Sequence, residues 1–240
     1  MAVLASPESE SRLAPLLQQA GAVFAARDGR PVAINYGSAA GELAVCVAGV
    51  GLVDRSGLTK LVLEAPPLQL DDVLLRIAGS PVVVGGARLA GGAWWCRATA
   101  DRMIVLCESR TGERIRARLV AHTQHHVALS IRDCSEHFAA IELLGRKTGK
   151  VLNALGIYGS SGDPSCVPPF TAHPVGAVPA MWLLQSDQHA LALVAGDRAG
   201  EVWLAIEQIG QPFGLSCVGH EAASRYALLE RVGRGAVAYA

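Results

Sequence analysis

Residues 40–60, AGELAVCVAGVGLVDRSGLTK, decide how the fold of this chain is read. The stretch opens inside a helix predicted over residues 38–48. Gly49 and Gly51 then interrupt it, and the polar cluster Asp54-Arg55-Ser56 closes it. Beyond the cluster, residues 58–64 (LTKLVLE) read as a strand. The cluster is therefore either a piece of an active site or a turn in the wall of the fold. Asp54 and Ser56 are short side chains that bond backbone N–H groups nearby, which favours the turn.

The surroundings set bounds on class. A chain of 240 residues can bury a sizeable core as one large domain or two small ones. Half of it is apolar and its formal net charge is zero, which argues against disorder and against a nucleic-acid binder. Of the 21 basic residues only Lys60, Lys147 and Lys150 are lysines. The longest apolar run, residues 43–53, has 11 residues against the roughly 20 that a membrane span needs. The polar, acidic SPESESRL near the start has no signal-peptide pattern, so a cytoplasmic location is expected. Cys46, Cys96, Cys107, Cys134, Cys166 and Cys217 are scattered without a C-x-x-C pair and read as free thiols.

Ser6-Pro7-Glu8 is a helix start, followed by the stripe Leu13, Leu16, Leu17 and Ala20 and ended by Gly21. Further helices are predicted over residues 70–77, 111–122, 146–155, 197–209 and 220–230. Strands are predicted over residues 82–84, 88–89, 93–99, 102–107, 127–132, 137–143, 180–184, 189–195 and 213–218. Residues 156–179, rich in Gly, Pro and Ser, read as a long irregular loop, either a lid or a poorly ordered segment. Short helices and strands mixed without regular βαβ spacing define an α+β chain. The expected division is an N-terminal helix and linker over residues 1–30, a main domain over 31–232 and a tail over 233–240. A break between two intertwined subdomains would fall near 156–179.

Common motifs fail in detail. Gly49-Val50-Gly51 lacks the third glycine of a dinucleotide fingerprint. Gly145-Arg-Lys-Thr-Gly149-Lys150 is one residue short of a phosphate loop and has Val151 where a hydroxyl would bind magnesium. His122, His125 and His126 cluster at a predicted helix end, without the glutamate of a zinc-protease motif, so no metal is expected. Trp94-Trp95, on a predicted strand, point to opposite faces, one toward the core and one free to face a cleft.

The segment 34–65, INYGSAAGELAVCVAGVGLVDRSGLTKLVLEA, resembles the N-terminal part of the glycine-cleavage T-protein (aminomethyltransferase) family, whose relatives include sarcosine oxidase gamma-like folate-binding proteins. Tyr36, Gly37, Ser38, Glu42, Ala44, Val45, Gly51, Val53, Asp54, Ser56 and Lys60 carry the resemblance. Asp133-Cys-Ser135 with Leu143-Leu-Gly-Arg146, and Gly214–Ala222 with Leu229-Glu230, are similar to later family motifs. The resemblance covers about residues 32–232. It implies a folate-binding fold around a central pocket, a tetrahydrofolate cofactor, and absence of the family's small C-terminal barrel.

The departures fall on the family's chemistry. Its catalytic carboxylate belongs to a Gly-Gly-x-x-Asp-Asp segment, and Gly91-Gly-Ala-Trp94-Trp95-Cys96 stands there. By the same resemblance Asp187 would anchor the pterin, Trp95 would stack on it and Arg225 would hold the acidic tail. Leu58, Trp94 and Glu230 complete the expected pocket. Three functions follow from this: a folate-binding protein handling a one-carbon unit, an enzyme whose pocket serves a more apolar small molecule, or a non-catalytic subunit of an oxidase or dehydrogenase complex. The partners expected are a small-molecule ligand and a second protein chain or second copy, with neither nucleic acid nor membrane involved.

Overall fold

The computed structural model describes residues 11–123 and 128–237. It is an α+β fold of two packed sheets and a separate hairpin. The hairpin pairs β1 (Val23–Arg27) with β2 (Arg30–Asn35), and so crosses the boundary expected at residue 30. The short helix α1 (Ala14–Gln19) precedes it. The helix start at Ser6-Pro7-Glu8 lies outside the described residues.

Helix α2 (Ala39–Ala48) begins where the Ser38 hydroxyl accepts from the Gly41 N–H at 3.3 Å. It stops at Gly49 for a steric reason. A Cβ there would run into the Gly214 carbonyl oxygen, and one at Gly51 would sit 2.8 Å from Cys46 Sγ. The chain turns directly into β3 (Val50–Asp54), a strand in the part of the apolar run that the sequence reading assigns to no element. Strand β4 (Thr59–Glu64) and helix α3 (Pro67–Ala78) follow, with Pro67 inside the first turn of the helix where its missing N–H costs nothing.

The next elements are β5 (Ala87–Ala90), β6 (Ala93–Thr99), β7 (Arg102–Cys107), α4 (Ser109–Thr123), β8 (Ser130–Asp133) and β9 (Phe138–Leu144). After α5 (Thr148–Ala154) come β10 (Phe170–Ala172), β11 (Ala180–Ser186), β12 (His189–Ala195), α6 (Ala199–Gly210), β13 (Leu215–Cys217) and α7 (His220–Val237). One sheet has the order β10-β11-β12-β9-β3-β13 and the other β5-β6-β7-β4-β8. All neighbours are antiparallel except β13, which runs parallel to β3.

Two expectations change. Residues 82–84 form no strand: Val82 is buried while Val83 and Val84 project into solvent at a turn that Gly85 closes onto Arg97. The segment 156–179 is neither irregular throughout nor a lid. Ile157, Tyr158, Phe170, Val175 and Val178 are buried in the core, and Phe170–Ala172 adds the edge strand β10. Apolar side chains spaced through a Gly- and Pro-rich stretch are enough to hold it down.

The two sheets are joined by a reciprocal pair of turns. The turn from β3 to β4 carries Asp54-Arg55-Ser56, and the turn from β8 to β9 carries Asp133-Cys134-Ser135. In each, the aspartate accepts from the N–H of the serine two positions on, at 2.8 Å for Ser56 and 2.9 Å for Ser135. Each serine hydroxyl then accepts from the other crossing's strand: Ser56 from Ala140 N–H, Ser135 from Lys60 N–H. The middle residues repeat the exchange, with Arg55 N–H donating to Ala140 and Cys134 N–H to Lys60. Lys60, 1% exposed, places its ammonium on the Ser56, Leu58 and Ser135 carbonyls at 2.7, 2.9 and 3.2 Å. Burial pushes its pKa down to about 8, and it stays a cation at neutral pH.

Glu42, buried in α2, ties the remaining pieces together. It accepts from Tyr36 N–H at the end of β2 and from Gly219 N–H at the start of α7. Gly219 lies so close to the Ile34 backbone that no Cβ fits there. Helix α7 is thus fixed against both α2 and the hairpin.

Substituting Lys60→Ala takes the ammonium donor from three carbonyls, that of Ser135 buried and those of Ser56 and Leu58 partly so. At about 1–3 kcal/mol per unsatisfied group, urea denaturation should show a loss of at least about 3 kcal/mol. A change under about 1 kcal/mol would show that the crossing holds without the ammonium.

Candidate functional site

Between the sheets, beneath α7 and beside the hairpin, lies a cleft of about 970 Å³. One wall is apolar, made by Leu58, Leu89, Trp94 and Leu106. The hairpin brings Arg27, Asp28 and Arg30, and α7 brings His220, Ser224, Leu228 and Glu230. The opposite wall carries a charged network that the fold assembles from five elements.

Glu142 is its centre. It points into the space between the sheets from the middle of β9, with a side chain only 9% exposed. His189, on the neighbouring strand β12, donates from Nε2 to Glu142 Oε1 at 2.5 Å. Arg55, the middle residue of its turn, brings Nε to 3.7 Å from Glu142 Oε2. Arg55 also donates to Glu108 at 2.6 Å and to His220 Nδ1 at 3.1 Å. Burial pushes the Glu142 carboxyl up, but Arg55 and His189 outweigh it and hold the pKa at about 2. His220 goes the other way. Burial first, then Arg55 and Arg27, keep its pKa below the ordinary histidine value. A guanidinium only donates, so His220 Nδ1 must accept and the ring proton resides on Nε2. Glu230 faces the same space, accepting from the Ser186 hydroxyl at 3.1 Å, with Oε2 at 3.9 Å from His189 Nδ1.

The residues singled out from sequence are only partly brought together here. Leu58, Trp94 and Glu230 line the cleft. Trp95 does not. It is buried in the core between β6 and α3, and its indole N–H donates to the Ala90 carbonyl, so it cannot stack on a ligand. Alternation along β6 sends Trp94 to the cleft and Trp95 away from it. Asp187 is exposed at the tip of the β11–β12 hairpin, and Arg225 is exposed on the outward side of α7; neither lines the cleft. Asp54 and Ser56 are engaged in the turn itself; Asp54 also lines the cleft, and Arg55 between them is the one that joins the charged network.

Arg55, Glu108, Glu142, His189 and His220 escaped the sequence reading. One signal was available: Glu142 is a lone charge inside the apolar strand Phe138–Leu144, and a buried carboxylate requires partners. The phosphate-loop likeness at residues 145–150 is closed off, because the Arg146 and Lys147 N–H groups bind the Cys46 and Gly49 carbonyls. Among the described residues no three His, Cys, Asp or Glu side chains could hold a metal ion. His125 and His126 lie outside the described residues, as does the side chain of His122. No described helix is long and apolar enough to cross a membrane.

Two packed sheets crossed at paired turns, with a helix closing the cleft between them, are the aminomethyltransferase fold. The glycine cleavage system aminomethyltransferase T from Bartonella henselae matches 90% of this chain with a TM-score of 0.73 at 15% identity, and this chain spans 60% of that one. A chain of the heterotetrameric sarcosine oxidase from Corynebacterium sp. U-96 matches 74% of this chain with a TM-score of 0.58 at 17% identity, over 93% of its own length. At these identities the likeness shows the fold. No protein-family pattern and no curated protein matches the chain in sequence.

Glu142→Gln should destabilise the protein by about 3 kcal/mol in denaturant. That is the low end for breaking a buried pair, because Arg55 keeps Glu108. Acid sensitivity carries a defined sign. With its folded pKa lowered, His220 adds stability that is complete above about pH 6.5 and is lost as pH falls through the folded value. Glu142 does the same further down, from about pH 4.3 to about pH 2. His220→Gln should therefore flatten the stability profile between pH 7 and pH 5 and leave the loss below pH 4 in place. An unchanged profile would assign that segment to other groups.

Proposed function

We propose that the cleft binds a reduced folate and that the protein handles a one-carbon unit carried by it. The observation that carries this is the pairing, within one cleft, of an apolar wall with a carboxylate aimed at the same space. Trp94 and the leucines around it suit the flat faces of a pterin and an aminobenzoyl group. Glu230, steadied by Ser186, suits the row of N–H donors on a pterin edge, in the place expected of Asp187. Arg27, on the cleft rim, suits the carboxylates of the glutamate tail. When bound, tetrahydrofolate supplies two nitrogens between which a one-carbon unit is held.

The chain's own residues do the rest. Trp94 excludes water from one face, Glu230 orients the ring, and His220 presents a neutral N–H donor from Nε2. The family acid implied near residues 93–96 has no counterpart there, where Ala93, Trp95 and Cys96 are buried. Transfer chemistry in this chain thus depends on the network on the opposite wall. The sarcosine oxidase chain with this fold belongs to a heterotetramer. By analogy, a second polypeptide is the supplier of the one-carbon unit.

Tetrahydrofolate should raise the melting temperature. A concentration a hundredfold above Kd adds about 2.7 kcal/mol, and each kcal/mol is worth about 2–4 °C at this chain length. Glu230→Gln and Trp94→Ala should each weaken binding about tenfold or more, while Asp187→Ala should leave it intact. Absence of any shift with tetrahydrofolate, alongside a shift with apolar aromatic compounds, would instead assign the cleft to a more apolar ligand.

A further inference from the structure

His189 is held more tightly than a ligand contact alone requires. Its Nε2 is 2.5 Å from Glu142 Oε1, and a carboxylate oxygen accepts, so Nε2 carries a proton. Glu142 cannot turn away, because Arg55 stands at its other oxygen and the side chain is enclosed between the sheets. Arg55 is itself fixed by Glu108 and by the turn whose backbone binds Ala140. One nitrogen of His189 is thereby committed to the fold. The other, Nδ1, lies on the side of Glu230, in the wall of the cleft.

We propose that His189 is the group that exchanges a proton with a ligand in the cleft, through Nδ1, and that Glu142 is the residue that positions its ring. The inference rests on the cleft being the ligand site. The step is a proton transfer alone. A ligand N–H or O–H bond breaks, the electron pair stays on the ligand atom, and the proton joins Nδ1. The reverse transfer returns it, with no oxidant or further reactant. A buried carboxylate that fixes one imidazole nitrogen and leaves the other to work is a general way to make a histidine act with a single nitrogen. His220 cannot fill the role, because its Nδ1 already accepts from Arg55 and its Nε2 already carries the proton.

The charged groups beside His189 are Glu142 from β9 and Glu230 from α7, with Arg55 of the β3–β4 turn against Glu142 and His220 of α7 against Arg55. Glu108 at the end of β7 acts through Arg55. The test is a histidine-¹⁵N spectrum of the intact wild-type protein, recorded with the His189 ring neutral. His189→Asn identifies the signals. Nδ1 should lie in the range of a bare nitrogen and Nε2 in the N–H range. In Glu142→Gln the two nitrogens should move toward each other. A neutral wild-type ring with its proton on Nδ1, or shared equally, would overturn the proposal even if the variant does not fold.

Tetrahydrofolate separates this from the folate reading. If it raises the melting temperature, it should shift His189 Nδ1 more than Nε2. A thermal shift with Nδ1 unmoved rejects the role of His189 and leaves folate binding standing. No thermal shift, with the Nε2–H ring intact, rejects folate and supports the positioned histidine.

Discussion

The exchange of hydrogen bonds at the two crossing turns is the constraint on which the rest of the structure depends. Each sheet sends one strand across to the other at the same place, and at such a place the ladder ends and backbone groups lose partners. Asp54, Ser56, Asp133 and Ser135 supply the missing acceptors, and the Lys60 ammonium donates to three carbonyls. A hydroxyl or carboxylate at each of those positions costs little in a turn and replaces bonds that would be expensive to leave unmade. The relative position of the sheets follows, and so does the width of the cleft between them.

That crossing also determines the electrostatics of the cleft. Arg55 is carried between two residues locked in the turn, so its guanidinium is delivered to Glu142 without much freedom of its own. A carboxylate buried in β9 would otherwise become neutral or destabilise the strand. With Arg55 and His189 beside it, Glu142 stays ionised and becomes a fixed negative point around which two histidines are arranged differently. One donates to it, and the other accepts from its cation. Charge pairs enclosed in this way contribute more to arrangement than to net stability.

The same backbone therefore accommodates a different distribution of polar groups from the one the family motifs suggest. At 15% identity with an aminomethyltransferase, the turns, the tight glycines and the helix contacts keep the fold. The strand that would carry an acid puts Trp94 in the cleft and Trp95 in the core. The charges stand on the facing wall instead. Fold and chemistry are separable because the crossing needs only a few residues.

Much of the fold is legible in residues 40–60 and their later counterparts. The glycines after α2, the Asp-x-Ser turn and Lys60 are visible in the sequence, although the groups that require Gly49 and Lys60, the Gly214 and Ser135 carbonyls among them, lie far along the chain. The strand inside the apolar run was not legible, since four to five apolar residues suit a buried strand and a helix end equally well. Nor was the order in residues 156–179, where apolar anchors are too widely spaced to show a period. The site was least legible. Asp187 falls in the matching segment and Arg225 one turn before the matching position, now Leu228; both have suitable chemistry, but a hairpin tip and an outward helix face keep them from the cleft. Glu142, His189, Arg55 and His220 are 165 residues apart at the extremes and share no spacing. The sequence alone determined an α+β chain and the Asp-x-Ser turn at residues 54–56. Only the tertiary structure decided which charges meet, because a pair of strands from one sheet, a turn and a helix must all be in place before those four side chains come within reach of one another.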